Sequence, residues 1–180
     1  MNIIKTAFIF LLLVSVLGLA PQTKAQSGPK MIVVPDDFNS IQQAVDAANE
    51  GQTVFVKEGT YHESVIISKP LSLIGENEEA TKIVGSWRLN GTAVLVRHNN
   101  VTISGFTIES VRNSVSCRGV HLLQVRFCKV SKCIFQLNYV GVWLYEASGN
   151  IIEKNHINGM DSLAYSNGIY LKNSHNNIIQ

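Results

Sequence analysis

The chain has 180 residues, 46% hydrophobic, 16% charged and 8% aromatic, which is too apolar for disorder and below the roughly 25% charged share of an average soluble protein. Its formal net charge of +2 falls to balance once Lys5 and Lys24, in a segment expected to be removed, are set aside, so nucleic acid has no electrostatic case. Three cysteines, Cys117, Cys128 and Cys133, form neither a disulfide framework nor a CxxC metal site.

Met1 to Lys5 carries one positive charge, Ala7 to Ala20 is apolar except for Ser15 and Gly18, and Thr23-Lys24-Ala25 ends on a small residue. This pattern predicts a secretory signal peptide over residues 1–25, because the apolar run falls short of the about 20 residues of a spanning helix. No later stretch is long and apolar enough to cross a bilayer. The expected location is outside the cytoplasmic membrane: secreted, periplasmic or at the cell surface.

Residues 26–52 predict a strand and a capping helix. Met31 to Val34 is a short β run closed by Pro35. Asn39 or Ser40 then offers an N-cap, Ile41, Ala44, Val45 and Ala48 make one apolar stripe, and Gly51 stands where a helix would stop.

From Thr53 to Gln180 helical periodicity vanishes. Short runs at 53–56, 65–68, 71–74, 82–84 and 93–96 each end at a turn former. The second half repeats openly. Gly119-Val120-His121-Leu122, Gly141-Val142-Trp143-Leu144 and Gly168-Ile169-Tyr170-Leu171 align at offsets of 22 and 27 residues. Two further sets, one led by Val101, Cys128, Asn150 and Asn177 and one by Phe106, Cys133 and Asn155, keep the same two periods. Three strands per coil, with the extra residues in the loops 111–118 and 161–167, predict an all-β, single-stranded parallel β-helix with a short N-terminal capping helix. The rule for parallel crossovers makes it right-handed.

In such a coil the outer residues of each triplet face inward and the middle one outward. Asn150 and Asn177 then stack as a structural ladder of amides, and Cys128 and Cys133 sit inward, as core thiols or as a disulfide across a corner. The outward positions Leu95, His121, Trp143 and Tyr170 line up on one face. Their rings could stack on sugar faces, with Arg97, Asn99 and Lys172 nearby for hydroxyl or carboxylate contacts, or could pack against the 111–118 loop.

The segment Pro35-Asp36-Asp37-Phe38-Asn39-Ser40-Ile41-Gln42-Gln43-Ala44-Val45-Asp46-Ala47-Ala48, with Gly51-Gln52-Thr53-Val54-Phe55-Val56, Gly59-Thr60-Tyr61 and Leu71-Ser72-Leu73-Ile74-Gly75, resembles the start of NosD-type β-helix domains, in a class of carbohydrate-binding proteins and sugar hydrolases with the pectin-lyase-like fold. The resemblance implies a helix sealing the N-terminal end of the solenoid. It also implies two or three carboxylates on adjacent coils if the chain were a hydrolase, an Asp-rich calcium site if a lyase, and a link to copper-enzyme maturation through the NosD type itself. Against these, the acids after Asn90 are only Glu109, Glu146, Glu153 and Asp161, on different faces, and the histidines 62, 98, 121, 156 and 175 form no HxH or HxxxH pattern.

The reading is therefore a secreted, NosD-like carbohydrate-binding or surface-interaction module, with no catalytic residue, metal or cofactor assigned and an extracellular polysaccharide as partner. The site residues expected to touch it are His121, Trp143, Tyr170, Arg97 and Lys172. The alternatives are the N-terminal part of a polysaccharide lyase or hydrolase, a periplasmic accessory protein for copper-enzyme maturation, and an adhesive solenoid. Because Gln180 follows a strand directly, further coils or a capping partner are expected beyond it.

Overall fold

A computed structural model describes residues 31–110, 117–159 and 166–180. The expected leader and most of the two longer loops lie outside the described residues. Strand β1 (Ile32–Val34) is followed by helix α1 (Ile41–Ala47), and the coils begin after it. The first coil is β2 (Thr53–Val56), β3 (Gly59–His62) and β4 (Val65–Ile67). The second is β5 (Ser72–Gly75), β6 (Thr81–Val84), a 3-10 turn at Trp87–Leu89 and β7 (Val94–Val96). The third is β8 (Thr102–Ser104), β9 (Thr107–Glu109) and β10 (Arg118–Leu123), and the fourth β11 (Lys129–Ser131), β12 (Ile134–Gln136) and β13 (Val140–Tyr145). The fifth is β14 (Ile151–Glu153), β15 (His156–Ile157) and β16 (Asn167–Lys172), and β17 (Ile178–Ile179) follows it.

Every strand pairs in parallel with its counterpart one coil away, which builds three sheets around one core. The first sheet runs β1-β2-β5-β8-β11-β14-β17, the second β3-β6-β9-β12-β15 and the third β4-β7-β10-β13-β16. The register is the one the repeats give: His121 lies opposite Trp143, Trp143 opposite Tyr170, Lys129 opposite Ile151 and Ile134 opposite His156. The fold is an all-β parallel solenoid of about five turns with one helix. Several strands start or stop one residue away from their expected bounds, and β3 was not anticipated as a strand from its composition.

The core is the stack of inward residues, among them Leu73, Ile103, Val130 and Ile152 below the first sheet and Val94, Val120 and Val142 below the third, all fully or almost fully buried. The outward rule has two exceptions. Thr107, a middle residue, is only 2% exposed because the chain around Glu78 crosses it and accepts its hydroxyl proton at 2.7 Å; Leu95 is 6% exposed.

Helix α1 closes the N-terminal end by packing Ile41, Ala44 and Val45 on β1, β2 and β4. Ser40 is its N-cap, accepting from the Gln43 amide, while the Glu63 carboxylate accepts from the Ile41 and Gln42 amides at 2.9 Å each. The helix ends earlier than Gly51 suggested. Lys69 Nζ donates to the carbonyls of Asp46 and Ala48, which satisfies the last turn without a glycine cap.

Corner residues carry two devices. Asn150 Oδ1 accepts from the Cys128 amide at 2.9 Å, and its Nδ2 donates to Val125 O and to Asn177 Oδ1; Asn177 Oδ1 in turn accepts from the Asn150 amide. The same bracket recurs at the next corner, where Asn155 joins the Cys133 amide to Val130 O. Asn100, Phe127, Gly149 and Asn176 follow the coil period and all have φ between 50° and 70°. At Gly149 a side chain would also meet the Phe127 ring at 3.2 Å.

All three cysteines are buried, and Cys128 and Cys133 are not joined in a disulfide. Burial pushes the Cys133 thiol up to about 12, and its Sγ lies 3.3 Å from Ser131 O, so it behaves as a small core group rather than a nucleophile.

Candidate functional site on the outer face of the third sheet

The third sheet brings one outward residue per coil into a row: Ile66, Leu95, His121, Trp143 and Tyr170. The spacing follows from the roughly 4.8 Å between paired strands. The rings are tilted, not coplanar. His121 and Trp143 have centroids 5.8 Å apart at 49°, and Trp143 and Tyr170 meet edge-on at 5.0 Å and 63°. Such edge-to-face contacts satisfy the ring quadrupoles, so the row stiffens itself instead of offering one flat floor. Tyr170, 39% exposed, keeps the most accessible ring of the three.

Arg118, on β10, places its guanidinium carbon 4.0 Å over the Trp143 ring. Three polar atoms are then shut away from water without a hydrogen-bond partner, all on this face: Arg118 Nε, His121 Nε2 and Trp143 Nε1. Buried polar groups are nearly always paired, so three unpaired atoms gathered on one face single it out as the candidate site.

Beside it is a pocket of about 250 Å³ lined by Arg88, Arg97, Arg118, His121, Leu95 and Leu123 among others, with no carboxylate among the described lining residues. Arg88 and Leu89 also line a larger cleft of about 910 Å³ between α1, β4 and the 3-10 turn. Trp87, 61% exposed, stands at its wall, opposite Gln42, Asp46 and Glu63. Arg88 and Leu89 border both depressions.

Of the residues expected from sequence, Arg97 and His121 share the pocket, and Trp143 and Tyr170 continue the row. Lys172 lies two positions beyond Tyr170 on β16, three coils from Arg97, with Nζ 5.5 Å from the Tyr145 ring. Asn99 turns away to a corner, where its Oδ1 accepts from the Arg126 amide. Arg118, Trp87 and Arg88 were missed. Each stands at the margin of a repeat, Arg118 directly before a Gly-Val-His-Leu run and the other two in the connection from β6 to β7, so only their departure from the repeat could have drawn notice.

His121 remains uncharged. Burial first, then the positive charges of Arg118 and Arg97, lowers its imidazole to about 4. Its ring resonances should therefore stay those of the neutral form from pH 8 to about 5. The unfolded chain binds this proton near its ordinary 6.5, so the stability this group contributes is full above that value. It is lost as the pH falls from there through about 4, a fall that urea midpoints measured at pH 7 and pH 4 would register.

The sequence model of the family described as "Periplasmic copper-binding protein (NosD)" matches residues 45–180. The chain belongs to the NosD family. A cell surface glycoprotein of Methanothermus fervidus is 25% identical to this NosD chain over 139 residues, 76% of the chain and 21% of that relative, so the chain spans about a fifth of the relative's length. Among solved structures, pectin methylesterase PemA from Erwinia chrysanthemi superposes with a TM-score of 0.53 at 11% identity, covering 71% of this chain and 54% of that one. A pectin methylesterase in complex with a hexasaccharide gives 0.55 at 11%, covering 85% and 67%. These likenesses show the pectin-lyase-like fold. The family description and the relative's name are consistent with a periplasmic, secreted or surface location. No helix among the described residues is long and apolar enough to cross a membrane.

The family description implies copper, and the described residues do not fit it. No group of three or more His, Cys, Asp or Glu comes together among them. The Cys128 and Cys133 thiols point to backbone carbonyls inside the core, and His121, the histidine with a shielded free nitrogen, has arginines and tryptophan for neighbours. Cationic guanidinium groups beside a ligating imidazole would repel a metal cation.

Proposed function

We propose that this NosD chain is an exported β-helix module, delivered by a leader at residues 1–25, that binds polysaccharide on the outer face of its third sheet. The observation that carries the reading is the cluster of unpartnered, water-shielded polar atoms on Arg118, His121 and Trp143, set between the Tyr170 ring and the arginine-lined pocket. A sugar presents hydroxyl groups for such atoms and an apolar C–H face for an exposed ring. The wider cleft of about 910 Å³ beside Trp87 borders the same Arg88 and Leu89 as the arginine-lined pocket.

Replacing both Trp143 and Tyr170 by alanine removes ring contacts without touching the inward stack. Retention on immobilised polysaccharides should fall about tenfold while far-UV circular dichroism keeps the wild-type β signal. Unchanged retention with an intact β signal would overturn the reading.

A further inference from the structure

Building on the polysaccharide reading above, we propose that the pocket between Arg88, Arg97, Arg118 and His121 takes the carboxylate of an acidic sugar, so that the ligand is a uronic-acid-containing polysaccharide. Three guanidinium groups line this pocket of about 250 Å³, and none has a salt bridge or side-chain hydrogen bond among the described residues. Elsewhere Lys57 pairs with Asp36, Lys129 with Glu153, and Lys69 with helix carbonyls, whereas the three pocket arginines lie together with no carboxylate among the described lining residues. Arginines gathered without a carboxylate repel one another, and the arrangement is relieved by an anion from outside.

Arg118 is half-buried and fixed over Trp143, which leaves its guanidinium pre-positioned; its Nε proton is shielded from water and unclaimed. A planar guanidinium fork matches a carboxylate with two parallel hydrogen bonds. The positive field is also felt inside the protein, since Arg118 and Arg97 both oppose protonation of His121. A neutral His121 then offers one ring nitrogen to a sugar hydroxyl without adding charge.

The geometry favours a carboxylate carried directly on a sugar ring. With that group held by Arg97 and Arg118, the ring comes next to the row of His121, Trp143 and Tyr170, and Arg88 borders both this pocket and the cleft at Trp87. A sulfate ester stands off by one more bonded oxygen, which lifts the ring from the sheet.

The test uses the full chain and three immobilised probes: polygalacturonate, neutral amylose and dextran sulfate, each run at low and high salt. Wild type should be retained about tenfold longer on polygalacturonate than on amylose, with the difference collapsing at high salt. Arg97→Gln together with Arg118→Gln should abolish that difference. Arg97→Gln alone, at an exposed side chain, guards against misfolding of the double variant and should lose part of the difference. Independently, titrating the wild type with a galacturonate oligomer should raise the pH at which the His121 ring signals protonate, because an anion beside the imidazole favours its charged form. Equal retention on amylose and polygalacturonate overturns the carboxylate pocket and leaves the polysaccharide reading standing. Preference for dextran sulfate over polygalacturonate overturns the assignment to uronate. Absence of retention on all three overturns both readings.

Discussion

Gly75→Ala is expected to cost the chain about 3 kcal/mol or more, the largest loss from a single added methyl group. Gly75 ends β5 and faces Gly105 on the next coil. A Cβ at 75 would stand 2.0 Å from the Gly105 carbonyl oxygen and 2.9 Å from its carbon, both backbone atoms that cannot swing aside. The reverse change meets the Gly75 oxygen at 2.5 Å, and Gly105 also has φ +81, where an L side chain is strained. Opening the gap means parting the second and third coils on the first sheet, at the expense of the bond from the Thr102 amide to Leu71 O and of the ladder beside it. Gly51→Ala is the control: it has φ +75 but nothing within 4 Å, so its cost should stay near 1 kcal/mol. Urea unfolding followed by circular dichroism compares the two. Similar midpoints would mean that the coils stand farther apart than described.

The second large effect is expected at Asn150, where alanine should remove about 3 kcal/mol. The side chain is fully buried and holds three partners in two corners, the Cys128 amide and Val125 O one coil before it and Asn177 one coil after it. Deleting it leaves the Cys128 amide without a partner in the core, at about 1–3 kcal/mol, and opens a cavity besides, while Val125 O keeps only the Ser148 amide. Asn177, half-buried and bonded to Ala147 O, should cost less when truncated. Asn150→Leu separates packing from hydrogen bonding, since it restores volume and no partner. If leucine recovers wild-type stability in the same urea experiment, the amide contributes only bulk.

What could be read in the sequence was what the solenoid imposes on every coil. Inward positions repeat because each sees the same neighbours above and below, so Val120, Val142 and Ile169 announced themselves, as did the outward His121, Trp143 and Tyr170 between them. The 22- and 27-residue spacings then gave the register without any knowledge of side-chain contacts. The pocket was less legible because its main components do not repeat. Arg118 acts by reaching one coil onward to Trp143, and no spacing rule encodes where a long flexible side chain comes to rest. Trp87 and Arg88 belong to a one-time insertion between β6 and β7. Ring tilt was out of reach as well, since it depends on Arg118 and on how the third sheet twists. Lys172 does repeat, in line with Tyr145, in a row directly beside the aromatic one.

The helical winding has a mechanical corollary. All the strands run across the long axis, and the ladder bonds that join coil to coil run along it. A pull applied between the two ends therefore loads those bonds directly and peels coils away one after another, each step releasing a length of slack chain while the remainder holds its shape. A pull across the axis is carried by covalent backbone instead. A polymer lying along the third sheet bridges several coils at once and so splints the weak direction: ligand binding on that face should raise the force at which the first coil parts.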